Sequence, residues 1–597
     1  MNNRELFLIT TAEELTWRVE KPVLFLGNWS TLYSREDYWK KLDYTIAGWH
    51  WDDQGKYLAD YQYLNQLFET LLAKLADKLN QIHGLNENIK YWRIMVGPWL
   101  GYFLHIIFDR WEAIKNADAN YTICGTCILD LDEGAVVAND MKEFVKLSET
   151  DFWNHYIYAQ IIKNYTEIKY EIVAAEEVVS RDYQADSISN SGSFKSTVRG
   201  VLGRLSSFFV RPDDAFIFNT TLPIKKEIEL HLKFKQFPQI WNSVPVPQVP
   251  MNDKSRGPLL DIKNDNAFER FASELIFTQM PVIYLEGFSE LKKLLTVLPW
   301  PRLPKFIFSS CILHDTVALA YVAETTRKNT HLIYGQHGGV YGMAKFSWAE
   351  DYEKSIADLY LTWGWEDKAN QHVRPAGIFR TPEKLKYNAR KKNILFVTLN
   401  SPRYNYRISS ESLALFNNYF RNSFAFVKSL SDELQNKLLI RLTPTEYGWF
   451  QSKRWKDRYP TLRQDAGNSR MTDLMKESKL IVYTYNSTGY LESLAAGIPT
   501  IIFWDETSSS VREDAKPYLE VLRNAGIFHG SPESAARFIM ENWENIDKWW
   551  DSEKVVHALD EFNMHYCRQP ENLLNTITKE IKQLVITTKS ESQGIQL

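Results

Sequence analysis

Four cysteines in 597 residues are too few for a disulfide framework and fit a reducing compartment. The chain contains no apolar run of eighteen residues, the length a membrane-spanning helix needs, and residues 1–7 lack the form of a secretion signal. These absences predict a cytoplasmic protein. The net charge of −4 argues against binding nucleic acid through bulk charge, so no nucleic-acid partner is expected. No GxxxxGK[ST], HExxH or GxSxG pattern occurs, and no GxGxxG follows the first apolar run. P-loop, zinc-protease, serine-hydrolase and dehydrogenase chemistries therefore have no motif to stand on. Cys124 and Cys127 form a CxxC pair, but no second pair or His cluster completes a metal site, and buried thiols on a strand are expected. Asp130 and Asp132 form an isolated Asp-x-Asp, too short and common a pattern to define a metal site.

What is present indicates a large soluble α/β protein. Hydrophobic residues make up 44% and charged residues 24%, so a packed core is affordable, and the length requires two domains or more. The segment from Leu480 to Trp504 carries the most information. An apolar run, Leu480–Tyr483, stops at Asn486, Ser487 and Thr488. A helical stretch bearing Glu492 follows, then Gly497-Ile498-Pro499 and a second apolar run, Thr500–Phe503. This reads as strand, polar turn, helix and strand, and in an open parallel sheet such a turn lies at the carboxyl end, where ligands bind. Amide groups at the helix start, with the Ser487 and Thr488 hydroxyls, suit a phosphate.

Apolar runs at Leu6–Thr10 and Pro22–Gly27 predict buried strands, and Tyr61–His83 has helical spacing. Tyr91–Leu100 reads as a strand and turn opening a helix. From Met280 onward, Pro281–Leu285, Lys305–Ser309, His331–Tyr334 and Leu359–Trp363 predict strands alternating with helices. The pattern repeats with Asn393–Leu399, Lys437–Leu442 and the two runs already described. The predicted architecture is α/β, two Rossmann-like parallel-sheet domains facing a cleft, with helical insertions in the N-terminal half. The boundaries expected are 1–380 for the acceptor or catalytic domain, 381–392 for a basic linker, 393–570 for the nucleotide domain, and 571–597 for a helix and tail. Ser180–Pro212 is serine-rich and then basic and amphipathic. It reads as a loop and helix, with contact to an anionic membrane surface as the sharper alternative.

Three clusters follow apolar runs of the predicted first sheet: Glu286, then His314 with Asp315, then His337. His337 stands in Gly335-Gln-His-Gly-Gly-Val-Tyr-Gly342, where glycines permit close ligand approach, and it suits acid–base work or phosphate binding. Glu286 or Asp315 could serve as nucleophile or general base, although Asp315 equally fits a helix cap. In the second half, Arg441 and Thr443 close a strand and suit a phosphate, and Glu492 suits a ribose hydroxyl.

Tyr284–Phe288, Gly335–Gly339 and Asn486-Ser-Thr with Glu492 and Ala496-Gly-Ile-Pro499 together resemble a transferase family of bacterial O-antigen and capsule gene clusters. The opening segments resemble it too, so the likeness covers most of the chain. More distantly, the chain is similar to retaining Kdo transferases of capsule synthesis and to a retaining pseudaminic acid transferase. Where those Kdo transferases carry His-Pro, this chain has Thr443-Pro444, and of their Glu-Asp-Gly it keeps Glu286-Gly287. The resemblance implies a GT-B fold and transfer of a nonulosonic acid or Kdo from a CMP donor to an oligosaccharide acceptor. It implies no cofactor and no metal, and allows peripheral association with the inner membrane or a polysaccharide assembly complex. A CDP-glycerol or CDP-ribitol phosphotransferase and a non-catalytic nucleotide-sugar-binding assembly protein are the alternatives.

Overall fold

The computed structural model describes residues 4–174, 209–252, 256–257, 260, 266–380, 391, 393–409, 416–506 and 510–594. The expected linker, apart from Lys391, and most of the Ser180–Pro212 segment lie outside the described residues.

Three sheets organise these residues, and every described strand pairing in them is parallel. The first contains β1 (Glu5–Ile9), β2 (Val23–Phe25), β3 (Tyr44–Ile46), β4 (Thr122–Asp130) and β5 (Tyr170–Ala174), in the order β3-β2-β1-β4-β5. The second contains β6 (Phe216–Ile217), β7 (Phe306–Ser309), β8 (His331–Gly335), β9 (Leu359–Thr362) and β10 (Val373–Pro375), ordered β10-β9-β8-β7-β6. The third contains β11 (Asn393–Val397), β12 (Leu438–Arg441), β13 (Arg463–Asp465), β14 (Ser478–Tyr483), β15 (Thr500–Phe503) and β16 (Phe528–His529), ordered β13-β12-β11-β14-β15-β16. The predicted parallel α/β class is correct, but residues 1–380 hold two sheets.

The central strands are apolar on both faces, as parallel strands covered by helices must be, whereas the edge strands β5 and β13 are largely exposed or polar. In β1, Phe7 and Ile9 join Val23, Phe25, Trp17 and Trp39 on one face, whereas Leu6 and Leu8 join the main core on the other. That main core is built on two long helices, α1 (Gln54–His83) and α2 (Ile89–Asn120). Asp53 starts α1 by accepting from the Lys56 amide at 2.6 Å, and Gly84, left-handed at φ 63°, ends it.

Two predicted strands do not form. Tyr91–Leu100 lies inside α2, which Asn88 caps through the Tyr91 amide at 3.0 Å. Because α2 is buried nearly all round, its sequence shows no polar face and imitates a buried strand. Pro281–Leu285 forms a single 3-10 turn over Val282–Tyr284, whose Val282 and Ile283 amides donate to the Ala138 and Asn139 carbonyls. Burial there comes from helix packing, not from a sheet.

The remaining helices needed below are α3 (Asp151–Tyr165), α4 (Thr316–Thr326), α5 (Trp348–Ile356), α6 (Thr488–Ala495) and α7 (Leu573–Gly594). Leu573, Leu574, Ile577 and Ile581 of α7 complete the core of the second sheet beside Phe306, Phe308 and Ile333. Among the described residues, no helix is long and apolar enough to cross a membrane.

Candidate functional site

The strand order of the third sheet reverses between β11 and β14, so a crevice opens beyond their carboxyl ends. The loop Thr398–Arg403 and the turn Thr484–Ser487 form its rim. Thr484 Oγ1 donates to the Val397 carbonyl at 3.0 Å, and Tyr419 bridges Thr484 and the Leu399 amide at 2.8 and 2.7 Å. Asn486 is buried and accepts from Tyr490 Oη at 3.1 Å. Ser487 occupies the N-cap of α6 but does not bond the helix amides, and its buried Oγ has no hydrogen-bond partner among the described residues. Glu492, one turn into α6, lies 3.8 Å from Arg380; burial raises its pKa, against the pull of Arg380.

The second sheet presents the Gly335–Gly342 loop to this rim. Gln336 is buried and fixes the loop: its side chain donates to the Gly338 carbonyl at 2.8 Å and accepts from the Trp363 amide at 2.8 Å and Trp365 Nε1 at 2.9 Å. Gly342, at φ 77°, takes the left-handed conformation the turn requires and donates its amide to Glu350 at 2.9 Å. Gly339 touches α6 directly. Its amide donates to Thr488 Oγ1 at 2.9 Å, and a Cβ there would sit 2.6 Å from Thr488 Cα.

His337 lies between this contact and a buried carboxyl group. Its Nδ1 is 3.6 Å from Glu353 Oε1 on α5, too far for a hydrogen bond, and has no partner. Its ring meets Tyr341 edge-on at 5.2 Å. Glu353 is fully buried and accepts from Tyr341 and Tyr360 hydroxyls at 3.2 and 3.4 Å. Burial lifts Glu353 well above the carboxylate range, whereas burial, with Arg407, Arg380 and His314 nearby, pushes His337 down to about 4. His337 is therefore neutral at pH 7. His314 is also held down to about 4, by burial and then by Arg407, and its ring lies 5.6 Å from that of Tyr102.

The Gly339–Thr488 contact thus brings the His337 loop against the turn and helix that carry Asn486, Ser487, Thr488 and Glu492, and His314 lies near His337. The other expected residues have separate engagements. Glu286 does not stand at a strand end, because residues 281–285 form the 3-10 turn. Its carboxylate is held by Arg256 at 2.8 and 2.9 Å and by the Asn252 amide at 3.1 Å. Asp315 caps α4 through the Ala318 amide at 2.9 Å and accepts from Ser243 at 3.1 Å; burial raises its pKa. Arg441 pairs with Asp465 at the end of β12, and Thr443 accepts from Asn400 at 2.6 Å. Sequence reasoning missed Gln336, Glu353 and Arg407. Gln336 adjoins the glycine loop and could have been found there; Glu353 lies in a helix with the texture of a solvent face, and only its burial distinguishes it.

The sequence description of one protein family, the LIC12162 family transferases, matches residues 6–581. This chain belongs to that family. No curated protein matches it. Among solved structures, this family member is similar to the wall teichoic acid polymerase TagF, with 12% identity over 67% of its own length and 98% of the other chain, at a TM-score of 0.32. It is similar to MurG from Acinetobacter baumannii at 12% identity, over 62% and 100% of the two chains, with a TM-score of 0.34. A UDP-N-acetylglucosamine 2-epimerase gives 10% identity, 63% and 96% coverage and a TM-score of 0.32. Likenesses this slight carry no weight for activity.

Proposed function

We propose that this transferase is a glycosyltransferase that moves a 2-keto sugar acid, a pseudaminic acid-like nonulosonic acid or Kdo, from its CMP donor to a bacterial surface polysaccharide. The observation that carries the reading is the Gly339–Thr488 contact, which brings the His337 loop against a phosphate-suited turn. In this reading α6 and the Ser487 and Thr488 hydroxyls hold the donor phosphate, and Glu492 holds the ribose. Arg441 and Thr443 bind at the far end of the nucleotide.

The glycosidic bond from sugar C2 to the phosphate oxygen breaks, and its electron pair leaves with CMP. Amides at the start of α6 stabilise that charge without a metal. An acceptor hydroxyl bonds to C2 and surrenders its proton. His337, neutral at pH 7, is the candidate base, assisted by His314. Glu286 and Asp315 remain the expected carboxylates for a double displacement. The protein would work in the cytoplasm, with the acceptor at the inner membrane face.

Purified protein incubated with CMP-Kdo, CMP-pseudaminate, CMP-legionaminate and CMP-sialate should release CMP from at least one donor. His337→Ala should lower that rate by about 10²–10⁴-fold while CMP still binds. If no donor is hydrolysed or transferred, the reading fails.

A further inference from the structure

The loop after β11 carries a cation into the cleft between the second and third sheets. Its backbone is pinned from outside. Arg403 is held by Asp151 of α3. The Ile408 amide donates to His105 Nδ1 at 3.1 Å, and Ser409 exchanges hydrogen bonds with Tyr57 Oη at 2.6 and 3.0 Å. Arg407 lies between these anchors and is half-buried. Its guanidinium lies 4.9 Å from the centre of the Tyr406 ring, and its Nη1 is 3.4 Å from Tyr102 Oη.

Several half-buried or buried guanidiniums among the described residues meet carboxylates: Arg256 meets Glu286, Arg403 meets Asp151, Arg441 meets Asp465 and Arg512 meets Glu350, whereas half-buried Arg454 lies over the Tyr33 and Phe420 rings and donates to the Trp449 carbonyl. Among the described residues, no carboxylate comes within ion-pair distance of Arg407; Tyr406 and Tyr102 touch it, the Tyr102 ring meets that of His314 at 5.6 Å, and Tyr341, His105 and His337 are near enough to feel its charge. His105, His314 and His337 are neutral at pH 7, and burial holds Glu353, the carboxyl behind them, well above the usual carboxylate range. A permanent positive charge, partly removed from water and without a counter-ion, is unfavourable until an anion arrives. A guanidinium fork matches the two oxygens of a carboxylate or phosphate.

We propose that Arg407, with His314 and His337, forms an anion subsite that takes one oxyanion group of the substrate, a carboxylate or a phosphate. The inference rests on reading the cleft as a substrate site, but not on which sugar is moved. Arg407 lies on the third-sheet side of the chain and the two histidines on the second-sheet side, so a bound anion bridges the two halves.

Titration calorimetry on the full chain, Arg407→Met and Arg407→Lys with inorganic phosphate, CMP and free Kdo tests this. Arg407→Met should bind the anion that occupies the subsite at least about tenfold more weakly, with Arg407→Lys in between. Loss confined to phosphate and CMP identifies a phosphate ligand; loss confined to Kdo identifies a carboxylate. Unliganded Arg407→Met should melt at or above the wild-type temperature, since an unpaired cation has been removed. Unchanged affinity for all three ligands, or no binding of any by the wild type, overturns the proposal. A lowered melting temperature with unchanged affinity marks a merely structural residue and overturns it too. Loss of anion binding in Arg407→Met, in a protein that processes no CMP-sugar, would leave the subsite standing and sink the glycosyltransferase reading alone.

Discussion

Two groups of buried charge lie on either side of the loop that follows β11, and they differ in balance. Beside the first sheet, Asp109 and Asp151 face Arg110 and Arg403, with His50, Asn154 and Tyr404 completing the bonds. Burial is the largest influence on both carboxylates and raises them, but Arg110 with His50, and Arg403 with Tyr404 and the Ala12 amide, together outweigh it and hold them below the usual range. Positive and negative charges there are equal in number. In the cleft, Arg407, His314 and His337 stand near tyrosines and near Glu353, whose pKa burial raises well above the usual carboxylate range. A group that closes on itself is part of the scaffold, whereas one lacking an anion is arranged for something that comes and goes.

Acid should separate the two groups most strongly. His105, His155, His231, His314 and His337 are pushed by burial to about 3 or 4. Between the unfolded value near 6.5 and those folded values, the unfolded chain binds more protons. Stability therefore falls as pH falls, by up to about 1.4 kcal/mol per pH unit for each histidine. Glu353, Asp315 and Glu492, raised in the fold, oppose part of this. Asp109 and Asp151 are depressed, so their contribution is lost only below the unfolded value of about 3.8. Denaturant titrations from pH 7 to 3 should show the histidine-driven loss first; stability that is flat from pH 6.5 to 4 would contradict the assignment.

Next in size, Asp151→Ala removes the carboxylate that faces half-buried Arg403 and Tyr404 and should cost about 3–5 kcal/mol of unfolding free energy, measured by urea denaturation. A loss as small as that of a surface substitution would erase the distinction between the groups. Gly339→Ala forces a methyl against the Thr488 backbone and should cost about 1–3 kcal/mol. It should also weaken CMP binding if the contact forms one site; a variant that melts early yet binds CMP normally would separate the two halves. Ser487→Ala should have the smallest effect. Its hydroxyl has no partner among the described residues, so stability should stay within about 0.5 kcal/mol. Phosphate-bearing ligands should bind a few-fold more weakly, by about 1 kcal/mol.

Four strands of the third sheet, β11, β12, β14 and β15, were legible because each is a short apolar run closed by turn chemistry, as in Leu480–Tyr483 followed by Asn486-Ser-Thr; the polar edge strand β13 and the two-residue β16 carry no such signal. Legibility failed where burial had another source. Tyr91–Leu100 is apolar because α2 is surrounded, and Pro281–Leu285 because a turn is pressed between helices. His337 and the Ser487–Thr488 turn could be found from local pattern. Glu353 and Arg407 could not, because their roles depend on what stands opposite them: tyrosines from α2, β9 and the glycine loop, contributed from distant parts of the chain. Only the placement of Glu286 at a strand end was misread, because residues 282–284 form a 3-10 turn and its ion-pair partner, Arg256, lies thirty residues away in sequence.

The packing of α7 sets an order of events during synthesis. The second sheet's strands are finished at Pro375, yet its core includes Leu573, Leu574, Ile577 and Ile581. At ribosomal rates of about 5–20 residues per second, the roughly two hundred residues between take about 10–40 s to appear. Throughout that interval the sheet holds an uncovered apolar face in a nascent chain, and it can close only after the third sheet has been made. The part of the protein that carries His337 is therefore among the last to become native.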